Sequence, residues 1–69
     1  MPNSIYKVIE LIGSSEISWD DAAKNAISRA SNTLKDLRIA EVVEQDIKIE
    51  EGNKFIFRTK LRLSFRYKD

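Results

Sequence analysis

The sequence predicts an α+β domain with the element order β, α, β, β. Two observations carry this prediction. From residue 54 to residue 67, apolar and polar side chains alternate with the two-residue period of a strand. From residue 22 to residue 34, alanine and other apolar residues recur at helical spacing. Because 69 residues are few for more than one hydrophobic core, the whole chain, residues 1–69, is expected to form a single domain.

The first element is a predicted strand over residues 4–12, a stretch rich in β-branched and aromatic side chains. Both of its faces carry apolar residues, which indicates a strand that is covered on both sides. The glycine and two serines at residues 13–15 predict a polar turn that ends the strand.

A helix over roughly residues 19–35 is predicted next. Ser18 is a favourable N-cap, and Asp20 and Asp21 suit the positive end of the helix dipole. The apolar stripe of this helix is mostly alanine, so we expect the helix to lie close to the surface that it covers. The stripe consists of Ala22, Ala23, Ala26, Ile27, Ala30 and Leu34.

Residues 39–50 and 54–67 are predicted to form a hairpin with a short loop at residues 51–53. If the hairpin closes symmetrically around Gly52, opposite charges face each other, and each such pair stabilises the register by about 0.2–1 kcal/mol. A β-bulge would shift part of this ladder. The predicted pairs are Asp46 with Arg58, Glu44 with Lys60, Glu50 with Lys54, Ile49 with Phe55, Ile47 with Phe57 and Val43 with Leu61.

Composition argues against several functional classes. The chain has no cysteine and no histidine, which excludes disulfides, thiolate metal sites and the commonest general base. No serine has a histidine partner and no glycine-rich phosphate loop is present, so we expect a protein that is not an enzyme. A net charge of +1 gives no general attraction for nucleic acid or anionic lipid. Without a membrane-length apolar run or a signal-peptide pattern, a cytoplasmic protein is expected.

A basic stripe on the last strand has two interpretations. It could bind the phosphates of a nucleotide, a cofactor or a nucleic acid. Alternatively, it pairs with acidic residues across the hairpin or between subunits, which we favour because the acids occupy matching positions. The basic residues are Arg58, Lys60, Arg62 and Arg66, and the acidic residues are Glu41, Glu44 and Asp46.

Self-association is the expected means of stabilising so short a chain, because one helix cannot cover two long strands. A symmetric assembly can also form a metal site that one chain lacks, since one carboxylate repeated around a threefold axis supplies three ligands. On this argument Glu16, Asp20 and Glu44 are candidate ligands for Ca²⁺ or Mg²⁺.

Four segments, taken in order, resemble the dodecin family of small βαββ proteins. They are Tyr-Lys-Val-Ile-Glu-Leu with Gly-Ser-Ser (6–15), Ser-Trp-Asp-Asp-Ala-Ala (18–23), Ile-Ala-Glu-Val-Val-Glu-Gln (39–45) and the alternating strand 58–66. The resemblance implies a three-stranded antiparallel sheet partly wrapped around one helix. It also implies a hollow homododecamer that, in many members, stores flavins between subunits.

The residues that match the family's flavin pocket are Ile39, Val43, Gln45 and Arg58. Ile39 stands where flavin-binding members carry a stacking Trp, and Arg58 stands where they carry a Gln. These departures are similar to the subgroup described as calcium dodecins, so weak or absent flavin binding is expected. The ligand is then another small molecule or an ion, with neither nucleic acid nor membrane as a partner. A flavin-storing dodecin that tolerates Ile39, and a small β-sheet module that binds nucleic acid or protein, are the alternatives.

Overall fold

The computed structural model describes residues 5–66 and confirms the predicted order of elements. Strand β1 spans Tyr6–Ser15, helix α1 spans Trp19–Ser31, strand β2 spans Leu37–Glu50 and strand β3 spans Lys54–Arg66. The three strands form one antiparallel sheet in the order β1-β3-β2. The predicted outer ends of the first and last strands, at residues 4 and 67, lie outside the described residues.

Strand β1 continues through the segment predicted as a turn, so that prediction is wrong. Gly13 pairs with Thr59 of β3, and Ser15 pairs with Phe57. Gly13 allows α1 to approach β1 closely. A Cβ atom added to Gly13 would lie within 3.0 Å of the Ala22 carbonyl oxygen and 2.9 Å from the Ala26 Cβ. The absence of a side chain at Gly13 therefore lets the alanine stripe of α1 press against β1.

Helix α1 begins as predicted. The Ser18 Oγ accepts a hydrogen bond from the Asp21 backbone N–H at 3.0 Å, as an N-cap does. Asp20 and Asp21 lie in the first turn, where they favour the helix dipole.

The helix ends earlier than predicted, at Ser31 rather than near Lys35. The N–H groups of Asn32 and Thr33 turn back to the carbonyls of Arg29 and Ala30, which tightens the last turn. The chain then enters β2 through Asp36, whose φ of 61° lies in the left-handed region. Among residues 5–66, no helix has the length and apolar character that a membrane span requires.

The hairpin register is confirmed for five of the six predicted pairs. The sixth is wrong, because Leu61 faces Val42 and not Val43. A register shift between Val42 and Glu44 leaves Val43 as the extra residue of a β-bulge. A second irregularity lies between Leu37 and Ile39.

The core lies between α1 and the middle of the sheet. Thr59, Leu61 and Leu63 of β3 are buried there, together with Ala22 and Ala30 of the helix. A 13-residue helix is about 20 Å long, whereas the 14 residues of β2 extend over about 46 Å. The helix therefore packs mainly on β1 and β3 and leaves most of β2 uncovered. We call the side of the sheet away from α1 the outer face; it carries Glu10, Ile39, Glu41, Glu44, Asp46, Arg58, Lys60 and Arg62.

Candidate ligand-binding site on the outer face

The shortest side-chain contacts described on the outer face belong to an ion pair between β2 and β3. Asp46 and Arg58 are directly opposite each other. The Arg58 Nε donates to the Asp46 Oδ1 at 2.7 Å, and its Nη2 donates to the Oδ2 at 2.8 Å. This two-pronged geometry is the strongest arrangement of guanidinium and carboxylate groups. Sequence reasoning predicted the pairing but did not single out Asp46 as a site residue; its position opposite Arg58 was the available signal.

Each partner of this pair changes the acidity of the other. The hydrogen bond from Arg58 lowers the pKa of Asp46 below its ordinary value. In turn, the hydrogen bond to Asp46 and the charge of Asp46 raise the pKa of Arg58, and the nearby charge of Glu44 acts in the same direction. Both side chains remain partly exposed, at 41% for Arg58 and 48% for Asp46, so solvent screening limits what the pair adds to folding stability.

Arg62 and Lys60 of β3 also approach acidic partners. Arg62 lies between two strands: its Nη2 donates to Glu10 at 3.1 Å, and its Nη1 lies 3.6 Å from Glu41. Lys60 approaches Glu10 at 3.8 Å. The pairing interpretation of the basic stripe is therefore confirmed for Arg58 and Arg62, while Lys60 pairs with β1 rather than with Glu44, which it faces in the register.

Trp19 anchors the helix start to the strand that carries Asp46. Its indole Nε1 donates to the Asp46 backbone carbonyl at 3.0 Å, and its ring meets Phe57 edge-on at 5.3 Å between centroids. The Trp19 carbonyl accepts a hydrogen bond from the Thr59 hydroxyl at 3.0 Å. Trp19 thus packs against the sheet, and its hydrogen bond fixes the backbone at the ion pair.

The four residues of the family's flavin pocket are not brought together within one chain. Ile39 lies on the outer face opposite Ser64, six residues and roughly 20 Å along β3 from Arg58. Gln45 is opposite the buried Thr59 and so belongs to the helix side of the sheet. Val43 is the bulge residue between the two groups. A pocket built from all four requires at least one further copy of the chain.

The three candidate metal ligands are likewise separate. Glu16 follows β1 and forms an ion pair with Lys54 at 3.2 Å. Asp20 lies in the first turn of α1, and Glu44 lies on the outer face of β2. Within the described part of a single chain, no three acidic side chains come close enough to hold a metal ion.

The comparisons with known proteins agree with this fold. The family model for dodecins matches residues 5–68. The calcium dodecin of Mycobacterium tuberculosis is 44% identical over 63 residues, which cover 91% of this chain and 89% of that protein. The crystal structure of that calcium dodecin, described as a calcium-chelating immunodominant antigen with a novel calcium-binding site, superimposes with a TM-score of 0.88 at 43% identity over 94% of this chain and 93% of its own. The dodecin of Streptomyces coelicolor gives a TM-score of 0.92 at 38% identity over 100% of this chain and 99% of its own. By sequence and by fold, the chain belongs to the dodecin family.

Proposed function

We propose that this protein is a non-enzymatic, cytoplasmic binding protein that forms a hollow homododecamer and stores or buffers a small ligand or ion. The observation that carries the proposal is the large part of β2 that α1 leaves bare. The calcium dodecin relative supports Ca²⁺ as the ion that we favour, with Mg²⁺ as the second choice.

Assembly is supported by the apolar side chains exposed on the bare strand and its hairpin partner. Ile49 is 72% exposed, Phe55 is 49% exposed and Ile47 is 40% exposed. Burying one side chain of this kind in full is worth about 1.5–3 kcal/mol, which is large beside the small stability that a short chain can reach alone. Further copies of the chain, packed on this surface, would cover it.

A cation site in such an assembly would combine carboxylates from several copies. Ca²⁺ and Mg²⁺ take oxygen ligands of this type, and a symmetry axis multiplies each ligand. Asp20 and Glu44 are the stronger candidates, because neither forms an ion pair or a side-chain hydrogen bond within residues 5–66. Glu16 is the weaker candidate, because Lys54 already neutralises its charge.

Flavin storage is the second candidate function, and one observation favours it. Ile39 is 65% exposed on the outer face, at the position where flavin-binding dodecins stack the ring. An aliphatic side chain still offers apolar contact, but it lacks the aromatic surface whose stacking is worth about 1–3 kcal/mol per base. We therefore propose that flavin binds weakly or not at all. Binding of nucleic acid or protein through the basic stripe is a weaker alternative, since Arg58, Lys60 and Arg62 face carboxylates.

The proposed metal binding is tested by titration calorimetry with Ca²⁺ and Mg²⁺ on the purified assembly. We expect Ca²⁺ to bind with measurable heat and a chelator to lower the melting temperature. Asp20→Asn and Glu44→Gln should each weaken binding, while Glu51→Gln, a matched change in the exposed hairpin loop, should not. If neither Ca²⁺ nor Mg²⁺ gives heat, and if a chelator leaves the melting temperature unchanged, the proposed metal binding is contradicted.

A further inference from the structure

We infer that Asp46 is a positioning residue that holds Arg58 in a neutral ion pair and thereby keeps the outer face from accepting phosphate-bearing ligands. The inference rests on the proposed binding function, because it names the residue that restricts which ligand class this face can take. The choice of ligand then depends on Asp46 of β2 as well as on Ile39 and Arg58, the residues that stand at the flavin-pocket positions.

Asp46 occupies donor atoms of Arg58 that a phosphate would use. A phosphate is recognised best by the guanidinium fork, through two parallel N–H donors. On Arg58 the side formed by Nε and Nη2 is already occupied by the two oxygens of Asp46, at 2.7 and 2.8 Å. A phosphate that approaches Arg58 therefore finds one of the two bidentate donor edges already occupied, and it meets a carboxylate that repels its negative charge.

The surrounding structure keeps Asp46 in this position. Its side chain faces Arg58 in the register of the hairpin, and its carbonyl is held at 3.0 Å by the Trp19 indole. Glu44, two residues earlier on the same face, adds a second negative charge near Arg58. By contrast, the carboxylate of Glu41 lies 3.6 Å from Arg62, which also bonds to Glu10. Arg58 thus pairs closely with one carboxylate, whereas Arg62 lies between two.

The test compares Asp46→Asn with wild type in two measurements on the intact assembly. The first is the rate at which phenylglyoxal, an arginine reagent, modifies Arg58, mapped by peptide mass spectrometry. The second is calorimetric titration with inorganic pyrophosphate at low salt. Removing the carboxylate should speed Arg58 modification and tighten pyrophosphate binding about tenfold, which corresponds to ~1.4 kcal/mol. The gain should shrink as salt is added, because the attraction is electrostatic.

Glu41→Gln is the matched control, because it removes an equal charge from the same strand and face, opposite Arg62. It should leave both Arg58 measurements at the wild-type level. Since Glu44 could replace the missing partner, Asp46→Asn is also combined with Glu44→Gln, and the double variant should show the larger gain. A purely structural role for Asp46 would change the melting temperature without tightening pyrophosphate binding.

Equal pyrophosphate binding by wild type, Asp46→Asn and the double variant would overturn the inference, whatever the modification rate. An equal gain in Glu41→Gln would overturn it as well, because the effect would then reflect net charge alone. A failure of the proposed function is distinguishable: it would be seen as a wild-type protein that does not assemble or does not bind Ca²⁺, and neither result depends on Asp46→Asn.

Discussion

Replacing Gly13 by alanine tests how closely the helix lies on the sheet. The added Cβ would be 2.9 Å from the Ala26 Cβ and still closer to the Ala22 carbonyl oxygen, whereas ordinary contact begins at 3.4 Å. The helix must therefore withdraw by at least about 0.5 Å, and a gap of this size forfeits a quarter to a half of each dispersion contact. The atoms that clash belong to the Ala22 backbone and the Ala26 Cβ, so no flexible side chain can move aside instead.

The expected loss is about 2.0–2.6 kcal/mol of unfolding free energy. Overpacking of a tight interface costs about 1–3 kcal/mol, and this site lies at the upper end because part of the clash is with backbone. The smaller conformational entropy of the unfolded alanine variant offsets about 0.4–1 kcal/mol of the cost.

Urea denaturation followed by circular dichroism measures this loss, with all variants at one protomer concentration because assembly makes the midpoint concentration-dependent. Two controls separate packing from other effects. Ser14→Ala changes the exposed neighbour on the same strand and should stay within about 0.5 kcal/mol of wild type. Gly52→Ala, with nothing within 4 Å but a φ of 78°, should lose only about 1 kcal/mol to backbone strain. A Gly13→Ala protein as stable as Ser14→Ala would show that the helix does not lie so close to β1.

Two further predictions concern the ligand pocket and the tryptophan anchor. Ile39→Trp combined with Arg58→Gln should create or strengthen riboflavin binding, measured by quenching of flavin fluorescence, because it restores both the stacking surface and the neutral amide; Ile39→Trp alone should help less. Nanomolar quenching by the unmodified protein would instead favour flavin storage. Trp19→Phe should lower the unfolding free energy by about 0.5–1.5 kcal/mol, since it removes the hydrogen bond to the Asp46 carbonyl while keeping an aromatic ring near Phe57. Tyr6→Phe, at a side chain that is 51% exposed, is the control and should be near neutral in the same denaturation assay.

The register of the hairpin could be predicted largely from the alternation of charged and apolar residues. Opposite charges on one face and apolar residues on the other agreed on one register, and five predicted pairs are present. The bulge could not be located from the sequence, because Val42 and Val43 are both apolar and either could face Leu61.

The error at Gly13 has a different origin. A glycine followed by two serines is a strong turn signal when only local conformation is considered. Here the glycine is required by a helix that arrives later in the chain, a non-local contact that local propensity does not report. The early end of the helix at Ser31 has a local cause, because the N–H groups of Asn32 and Thr33 bond to the carbonyls of Arg29 and Ala30 and close the last turn. Apolar spacing alone does not report this closure, so it placed the end of the helix too late.

The candidate site was the least predictable part. Ile39 and Arg58 lie on one face but roughly 20 Å apart, and Gln45 points to the other side of the sheet. Sequence resemblance can name such residues, but a single chain does not assemble them. The pairing of Arg58 with Asp46, by contrast, follows from the register and was open to prediction.

Native mass spectrometry of the protein, purified in the presence of Ca²⁺, tests whether the chain assembles around a bound ion. We expect a dominant assembly of about 96 kDa, twelve times the 8.0 kDa chain, that carries bound calcium and no flavin. Treatment with a chelator should remove the calcium mass, and an assembly that also loses subunits would place the ion at a subunit interface. A folded protein that remains a monomer of 8.0 kDa at micromolar concentration would contradict the proposed assembly.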